Sequence, residues 1–331
     1  MSASEEMKLG VTLYSFNQDF YTYQASFEEC LARVGSLGPG QGVEVVAPQM
    51  MRGYPSIAEE SQQIFLRAAD RYGMVPTCLA GYSDPTIITG RDMNDEEQFE
   101  YLAVQVQAAK RMGFAVLRIG ACETVFTRLV SYAERMGVKL GIEIHSPRTI
   151  ELIGDIVERV EQVDSEYLGF VPDWGCFCHS VADVFVNRQL RLGVPRPIAD
   201  RIVELWDERV AQPEMEAEVE AMGGDEIAQN MVMESQVYFA HGEPAELRRI
   251  MPRIVHTHGK FFHADEGGTQ AIRLGEVVAE LRDGGYSGWI SCEYEGHRWV
   301  EPDKLDALGQ IKAIQNLIRR ELAAPQAVAA G

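Results

Sequence analysis

Three short apolar stretches of this sequence carry ionisable side chains at alternate positions. The stretch LGIEIHS contains Glu143 and His145, two residues apart, and VHTHGKF contains His258 and Lys260 in the same relation. A third stretch, WISCEYEG, contains Glu293. Ionised side chains are rarely buried without a partner. These residues therefore indicate that the apolar stretches surround a polar site.

A fourth stretch, YLGFVPD, ends at Asp173. Residues two apart on a strand point to the same face, so strands that converge would bring these side chains together. Three carboxylates and one imidazole repel or strain each other unless a cation lies among them. Oxygen-rich ligands with a single imidazole suit Mn²⁺, Mg²⁺ or Co²⁺. We therefore predict one divalent cation, with manganese as the expected ion, held by Glu143, Asp173, His258 and Glu293.

The elements that must position these residues form an alternating pattern. Eight β-like runs occur at 8–14, 42–48, 74–80, 114–120, 138–145, 167–173, 254–262 and 288–294. Amphipathic stretches between them predict helices, most clearly over 56–72, 95–112, 148–163 and 303–322. Asn94 followed by Glu97 predicts a capping box, and Ser146 followed by Pro147 predicts the start of another helix.

Eight strands alternating with helices predict a parallel (β/α)8 TIM barrel that forms a single domain over residues 1–331. The main rival is a doubly wound sheet, which usually has a glycine-rich turn after its first strand. The segment after the first run is Tyr14-Ser15-Phe16-Asn17-Gln18, which is no such turn. In a barrel, the four predicted ligands meet at the carboxyl-terminal mouth.

One spacing departs from the pattern. About 80 residues separate the sixth and seventh runs, whereas a strand–helix–strand unit needs roughly 30. We predict that residues 178–245 form a helical insertion at the mouth. It would serve as a lid, a partner surface or an oligomer contact.

Composition excludes several classes of partner. The formal net charge is −20, which disfavours nucleic acid and anionic membrane surfaces. No apolar run is long enough to span a membrane, and the first residues lack a secretory signal pattern. The six cysteines show no CxxC spacing, so we expect reduced thiols in the cytoplasm, with Cys176-Phe-Cys178-His179 as a weaker metal motif.

The motifs LGIEIH, LGFVPDWG, VHTHGKF and WISCEYEG resemble those of the xylose-isomerase-like TIM-barrel superfamily, and the similarity runs from Leu9 to about Leu322. The superfamily includes sugar isomerases, ketose 3-epimerases, inosose dehydratases and endonuclease IV. The resemblance implies the same four metal ligands, and it prefers His258 over His256 because the second histidine of the HxH motif is the family's ligand.

Departures from the sequence motifs of the superfamily reduce the number of reactions that we expect of this chain. Ketose 3-epimerases have a histidine where this chain has Cys176 and an arginine where it has Ala264. Together, His145, the EYEGHRW ending and the long insertion look most similar to the alpha subunit of bacterial C-glycoside deglycosidases. That resemblance implies a lyase that cleaves 3-oxo-C-glycosides in a hetero-oligomer with a smaller beta subunit. The alternatives are a ketose or inosose isomerase, epimerase or dehydratase, and a barrel scaffold without activity.

All these family reactions remove a proton next to a sugar carbonyl. Histidine exchanges protons near neutral pH, so we expect His145 to be the catalytic acid or base, with Glu143 and Glu293 as alternatives. Lys260 is expected to neutralise an oxyanion in the substrate. The remaining expected contacts to a sugar or glycoside are made by Trp174, His263, His297 and Arg118, and for Arg118 the alternative role is to hold Glu143.

Overall fold

The computed structural model describes residues 7–122 and 124–324. Within them, eight parallel strands form one sheet in the order β6-β5-β4-β3-β2-β1-β10-β7. All eight lie inside the runs that the sequence predicts. The strands are β1 (Lys8–Thr12), β2 (Gly42–Val46), β3 (Val75–Ala80), β4 (Val116–Ile119), β5 (Lys139–Ile144), β6 (Leu168–Pro172), β7 (Thr257–Phe261) and β10 (Trp289–Tyr294). A small antiparallel hairpin, β8 (Ala264–Asp265) with β9 (Gly268–Thr269), follows β7.

The sheet closes between β6 and β7, which confirms the predicted TIM barrel. This seam is sparser than the others, because it consists of the bridges Phe170–Ile254 and Asp173–His258. A Cβ atom at Gly169 would lie 2.1 Å from the carbonyl oxygen of Arg253. Glycine at this position therefore permits the close backbone approach on which closure depends.

Helices surround the barrel. They are α1 (Asn17–Tyr21), α2 (Phe27–Gly35), α3 (Ala47–Met50), α4 (Glu59–Tyr72), α5 (Asp95–Met112), α6 (Val130–Met136), α7 (Gly154–Val163), α8 (Asp183–Leu192), α9 (Arg196–Asp207), α10 (Gln212–Ala221), α11 (Glu226–Tyr238), α12 (Leu247–Ile250), α13 (Leu274–Asp283) and α14 (Ala307–Ala323). Across the described ranges, no helix combines the length and apolarity needed to cross a membrane.

The two capping predictions have opposite outcomes. Asn94 and Glu97 form the predicted capping box at the start of α5. The prediction for Ser146 is wrong, because α7 begins only at Gly154 and Ser146-Pro147 lies in a turn joined by a cis peptide bond. The Ser146 hydroxyl instead donates a 2.9 Å hydrogen bond to the carbonyl of Val237, so it joins the loop after β5 to the end of α11.

Four helices, α8 to α11, occupy the long connection between β6 and β7. Their apolar side chains pack against the mouth of the barrel. Phe185 of α8 contacts Trp299 edge-on at 5.2 Å, and Trp299 stacks on Phe239 at 5.7 Å. The connection is therefore attached to the loop after β10 through a buried aromatic cluster, and it stands next to the strand ends that carry the predicted site.

Candidate active site

A cavity of about 250 Å³ opens at the carboxyl-terminal ends of the strands. Glu143 of β5, His258 of β7 and Glu293 of β10 line it. Asp173 follows β6 directly and is fully buried beside them. Because parallel strands end at the same side of a barrel, four residues far apart in sequence meet here.

His258 is the centre of the four. Its Nδ1 atom lies 3.0 Å from Oε1 of Glu143, 3.1 Å from Oε2 of Glu293 and 3.9 Å from Oδ2 of Asp173. Burial opposes a charge on this imidazole, but Glu44 and Glu293 outweigh it and raise the pKa of His258 well above its ordinary value. The carboxylates that surround His258 therefore favour a positive charge next to Nδ1.

The donor set fits a divalent cation. Nδ1 of His258 and Oδ2 of Asp173 are buried, and neither has a hydrogen-bond partner. The ammonium of Lys260 lies 2.8 Å from that aspartate oxygen, outside hydrogen-bonding geometry, so the contact is an ion pair. One ligand atom each from Glu143, Asp173 and His258 lie within 4.8 Å of one another. An imidazole nitrogen among carboxylate oxygens matches the preferences of Mn²⁺.

Glu44, which lies on β2 and is 1% exposed, also belongs to the site although it was not among the predicted residues. Its Oε1 is 3.0 Å from Nε2 of His258, and its Oε2 is 3.0 Å from Nε2 of His256. Burial opposes ionisation of Glu44, but the two histidines outweigh it and lower the pKa of Glu44. The signal was present in the sequence, because GVEVV is a buried apolar strand with one glutamate, as GIEIH is.

Lys260 is the second centre of charge, and it is 1% exposed. Its ammonium lies 3.4 Å from Oε2 of Glu295 and 3.7 Å from Oε1 of Glu293, in addition to Asp173. Burial opposes the charge, but these three carboxylates outweigh it and raise the pKa of Lys260 well above its ordinary value. Lys260 is therefore a permanent ammonium at one side of the cavity.

His145 stands between the cavity and Lys260. Its Nε2 atom lies 2.8 Å from the Lys260 ammonium, and its Nδ1 atom lies 2.6 Å from the carbonyl oxygen of Ser146. An ammonium can only donate and a carbonyl can only accept, so this network assigns the hydrogen to Nδ1 and the lone pair to Nε2. The side chain is 33% exposed and lines the cavity.

The carboxyl groups at the site differ in their affinity for protons. Burial, aided by the like charges of Asp173 and Glu295, raises the pKa of Glu293 to about 8 despite Lys260 and His258. Burial also opposes ionisation of Glu295, but Lys260 and His297 outweigh it and lower the pKa of Glu295. Glu293 on β10 and Glu295 directly after it therefore have pKa shifts in opposite directions.

Arg118 of β4 forms a close ion pair with Oε2 of Glu143. Its guanidinium also lies over the ring of Tyr82 at 5.4 Å, and both residues line the cavity. This placement gives Arg118 the role of holding Glu143, which is one of the two roles that the sequence suggested.

The outer wall of the cavity links the barrel to α11. The Tyr14 hydroxyl donates to Glu295 at 2.8 Å and accepts from Arg298 at 3.2 Å. Arg298 also donates to the hydroxyl of Tyr238 at 2.6 Å. Tyr238 is the last residue of α11. The helical connection therefore contributes a side chain to the candidate site, a contact that no local sequence pattern indicated.

Four residues expected to contact substrate do not line the cavity, and one of them is Lys260, which lies behind His145. Trp174 is fully buried and donates a 3.0 Å hydrogen bond to Oγ1 of Thr257, so packing of the core replaces the expected contact. His297 is also buried, with its ring 5.0 Å from that of Tyr14. His263 lies at the hairpin, 3.8 Å from a carboxylate oxygen of Asp265.

The cysteines form no metal site among the described residues. All six lie within the described residues, and none of them forms a disulfide. Sγ of Cys176 lies 3.4 Å from the carbonyl oxygen of Arg148, and Sγ of Cys178 lies 3.3 Å from that of Gly175. These thiols contact the backbone, and His179 is exposed.

The model of the xylose isomerase-like TIM barrel family matches residues 31–320. The chain belongs to this family. Among curated members, it is similar to the 3'-dehydrocarminate deglycosidase alpha subunit of a Microbacterium species, with 32% identity over 97% of each chain. It is also similar to a C-glycoside deglycosidase alpha subunit of Arthrobacter globiformis, with 30% identity over 97% of this chain and 94% of the relative.

Solved structures of the family have the same fold at lower identity. The D-psicose 3-epimerase of Clostridium cellulolyticum superposes with a TM-score of 0.59 at 13% identity, covering 96% of this chain and 100% of the epimerase. A sugar phosphate isomerase/epimerase of Parabacteroides distasonis superposes with a TM-score of 0.57 at 12% identity, covering 98% of each chain. At these identities the likeness is one of fold.

Proposed function

We propose that this chain is the alpha subunit of a metal-dependent C-glycoside deglycosidase. Such an enzyme is a lyase that cleaves the bond between the anomeric carbon of a 3-oxo sugar and a carbon of its aromatic aglycone. The observation that carries the proposal is the match to the 3'-dehydrocarminate deglycosidase alpha subunit, at 32% identity over 97% of both chains. The cavity supports it, because it places a base beside a set of cation ligands.

The ketone at sugar carbon 3 acidifies the proton on carbon 2. In the proposed elimination, Nε2 of His145 takes this proton, the carbon 1–carbon 2 double bond forms, and the bond to the aglycone breaks. The aglycone carbon takes up one proton, so the reaction consumes none overall. His145 suits the first step because it lines the cavity and because its Nδ1 hydrogen, held by Ser146, leaves the lone pair on Nε2.

Lys260 must release this lone pair before His145 can act. Its ammonium has other acceptors within reach, at 2.8 Å on Asp173 and 3.4 Å on Glu295. We propose that substrate entry turns the ammonium toward these carboxylates. Its charge then stays near the ketone oxygen, where negative charge develops in the transition state.

Glu143, Asp173, His258 and Glu293 would hold the cation. A bound divalent cation supplies Lewis-acid polarisation of the ketone and of a neighbouring hydroxyl. Arg118 fixes the orientation of Glu143 through their ion pair. Glu293 and Glu143 remain alternative proton carriers. Burial raises the pKa of Glu293 to about 8, which suits proton exchange. Burial also opposes ionisation of Glu143, but Arg118 and His258 outweigh it and lower the pKa of Glu143.

We also propose a smaller partner subunit, because the relatives are named alpha subunits. We also propose a reducing compartment such as the cytoplasm, because none of the six cysteines is in a disulfide. The second candidate function is a ketose or inosose isomerase, epimerase or dehydratase, and the epimerase-like fold favours it. Cys176 and Ala264, where the epimerases have histidine and arginine, count against it.

The test compares substrates. The chain, purified with any co-purifying small subunit and loaded with Mn²⁺, is incubated with a 3-oxo-C-glycoside and separately with free ketoses. The proposal predicts release of the aglycone and an unsaturated sugar, and loss of this activity with EDTA. Turnover of a free ketose by the lone chain would favour the isomerase instead. A chain that binds no stoichiometric metal and acts on neither substrate would be a scaffold.

A further inference from the structure

Glu44 contacts His258, one of the four expected metal ligands, but is not itself an expected ligand. The four expected ligands come from β5, β6, β7 and β10, whereas Glu44 lies on β2, across the barrel. It has 1% exposure, and its two carboxylate oxygens contact His258 of β7 and His256, which directly precedes that strand. A buried carboxylate held by two imidazoles needs an explanation beyond packing.

The geometry sets the tautomers of both imidazoles. An ionised carboxylate can only accept hydrogen bonds. Oε1 of Glu44 is 3.0 Å from Nε2 of His258, so that nitrogen carries the hydrogen. The other ring nitrogen, Nδ1, is then the one with a free lone pair. It is also the one that lies 3.0 Å from Glu143 and 3.1 Å from Glu293.

His256 holds Glu44 from the other side. Its Nε2 atom lies 3.0 Å from Oε2 of Glu44 and 2.9 Å from Oγ of Ser291. The glutamate therefore cannot rotate without breaking a second buried hydrogen bond. One possible ligand atom each from Glu44, His256 and His258 also lie within 4.8 Å of one another, as in a cation site. Their direct donor–acceptor contacts at hydrogen-bond distance, however, leave no room for an ion between them.

We infer that Glu44 is a positioning residue that holds His258 with its hydrogen on Nε2 and thereby presents Nδ1 to the cation. Carboxylate–histidine–metal triads of this kind orient the ligand and raise its basicity. The inference rests on the cation site of the proposed function, but not on the identity of the substrate or the reaction.

The first test is made on metal-free protein at a pH high enough to leave the His258 imidazole neutral. Histidines are labelled with ¹⁵N, and the His258 resonances are assigned by their loss in His258→Asn. The expected result is a hydrogen on Nε2 of His258 in the parent chain. Glu44→Ala should abolish this preference and mix the tautomers. A parent chain whose His258 carries hydrogen on Nδ1 alone would overturn the inference.

The second test measures Mn²⁺ affinity by the electron paramagnetic resonance signal of the free ion. Glu44→Ala should raise the dissociation constant by about 10- to 100-fold. Glu44→Gln should have a smaller effect, because the amide oxygen can still accept from His258. Ser291→Ala is the matched control, since it removes a neighbour of His256 only, and its affinity should remain within about threefold of the parent.

Glu44→Ala leaves two buried donors unpaired and risks misfolding. If Glu44→Ala does not fold, the Mn²⁺ affinity is measured on Glu44→Gln instead, because this variant keeps the volume of the side chain. If folded Glu44→Gln and Glu44→Ala both bind Mn²⁺ as tightly as the parent chain, the inference fails. Because neither readout involves turnover, a chain that rejects 3-oxo-C-glycosides yet shows the expected Mn²⁺ shifts would refute the proposed function alone.

Discussion

Two neighbouring clusters of charge face the same cavity, and both are built around a side chain of β7. The Lys260 cluster contains Lys260, Asp173, Glu295 and His145. The His258 cluster contains His258, Glu44, Glu143 and Glu293. The two central residues are two positions apart and point to the same face of the strand.

The clusters differ in how their negative charge is balanced. Lys260 carries its own charge, and three carboxylates hold it in place. His258 can supply charge only by taking a proton at Nδ1, which is the atom that faces Glu143 and Glu293. A divalent cation can replace that proton, since imidazole ligands bind metal in the neutral form. We therefore expect the proposed cation in the His258 cluster, with Asp173 as a ligand that it shares with Lys260, and we expect Lys260 to be the internal counter-ion of its own cluster.

The sharpest test of this comparison uses Glu293 of β10 and Glu295, which directly follows that strand. Glu293→Gln should weaken Mn²⁺ binding by more than about 100-fold, beyond the usual range for residues that only support a ligand. Glu295→Gln, its matched control two residues away, should weaken it by less than about 10-fold. Titration with Mn²⁺ measures both. If Glu295→Gln gives the larger loss, the assignment of the cation is reversed.

His145 lies at the boundary of the clusters, and its substitution should separate chemistry from metal binding. His145→Asn should lower turnover by about 10²- to 10⁴-fold, the usual contribution of a general base. The Mn²⁺ content, measured by elemental analysis, should remain that of the parent. His179→Asn, at an exposed histidine, should change neither quantity. Intact turnover in His145→Asn would remove this residue from the mechanism.

Lys260 should contribute to stability even without metal. Lys260→Met leaves Asp173 buried without its counter-ion, so the free energy of unfolding should fall by about 3–5 kcal/mol. Urea denaturation of the metal-free chain measures this change. The control is Lys304→Met, at an exposed lysine paired with Glu301, which should leave the urea midpoint unchanged. Equal midpoints for all three chains would show that Lys260 is no internal counter-ion.

The smallest expected effect concerns pH. Burial lowers the pKa of His297, next to the Lys260 cluster, to about 4. The unfolded chain takes up this proton near pH 6.5, so the stabilising contribution is present above that pH and is lost as the pH falls toward 4. The loss should be on the order of 3 kcal/mol.

His297→Gln should flatten this part of the stability profile, measured by urea unfolding between pH 7 and pH 4. The slope is the relevant quantity, because the substitution can change stability at every pH. His179→Asn is again the control, since an exposed histidine should leave the slope in place. A His297→Gln chain with the full slope would place the responsible group elsewhere.

Local patterns in the sequence were enough for the barrel and for the strand ends that carry the site. Alternation and strand length depend on neighbours in the chain, so the eight strands all lie within their predicted runs. The same alternation placed Glu143, His258 and Glu293 at one cavity. The resemblance of the four motifs correctly predicted the family.

Partners across the barrel were decided by the tertiary structure alone. Whether Glu44 meets His258, or Lys260 meets His145, depends on distances between strands that are far apart in sequence. The same holds for Trp174, whose aromatic ring suits a sugar or the core equally well until its burial is known. A sequence specifies which side chains point inward. Only the closed barrel determines which of the inward-pointing atoms lie within about 3 Å of each other. Interactions between charges depend on that distance.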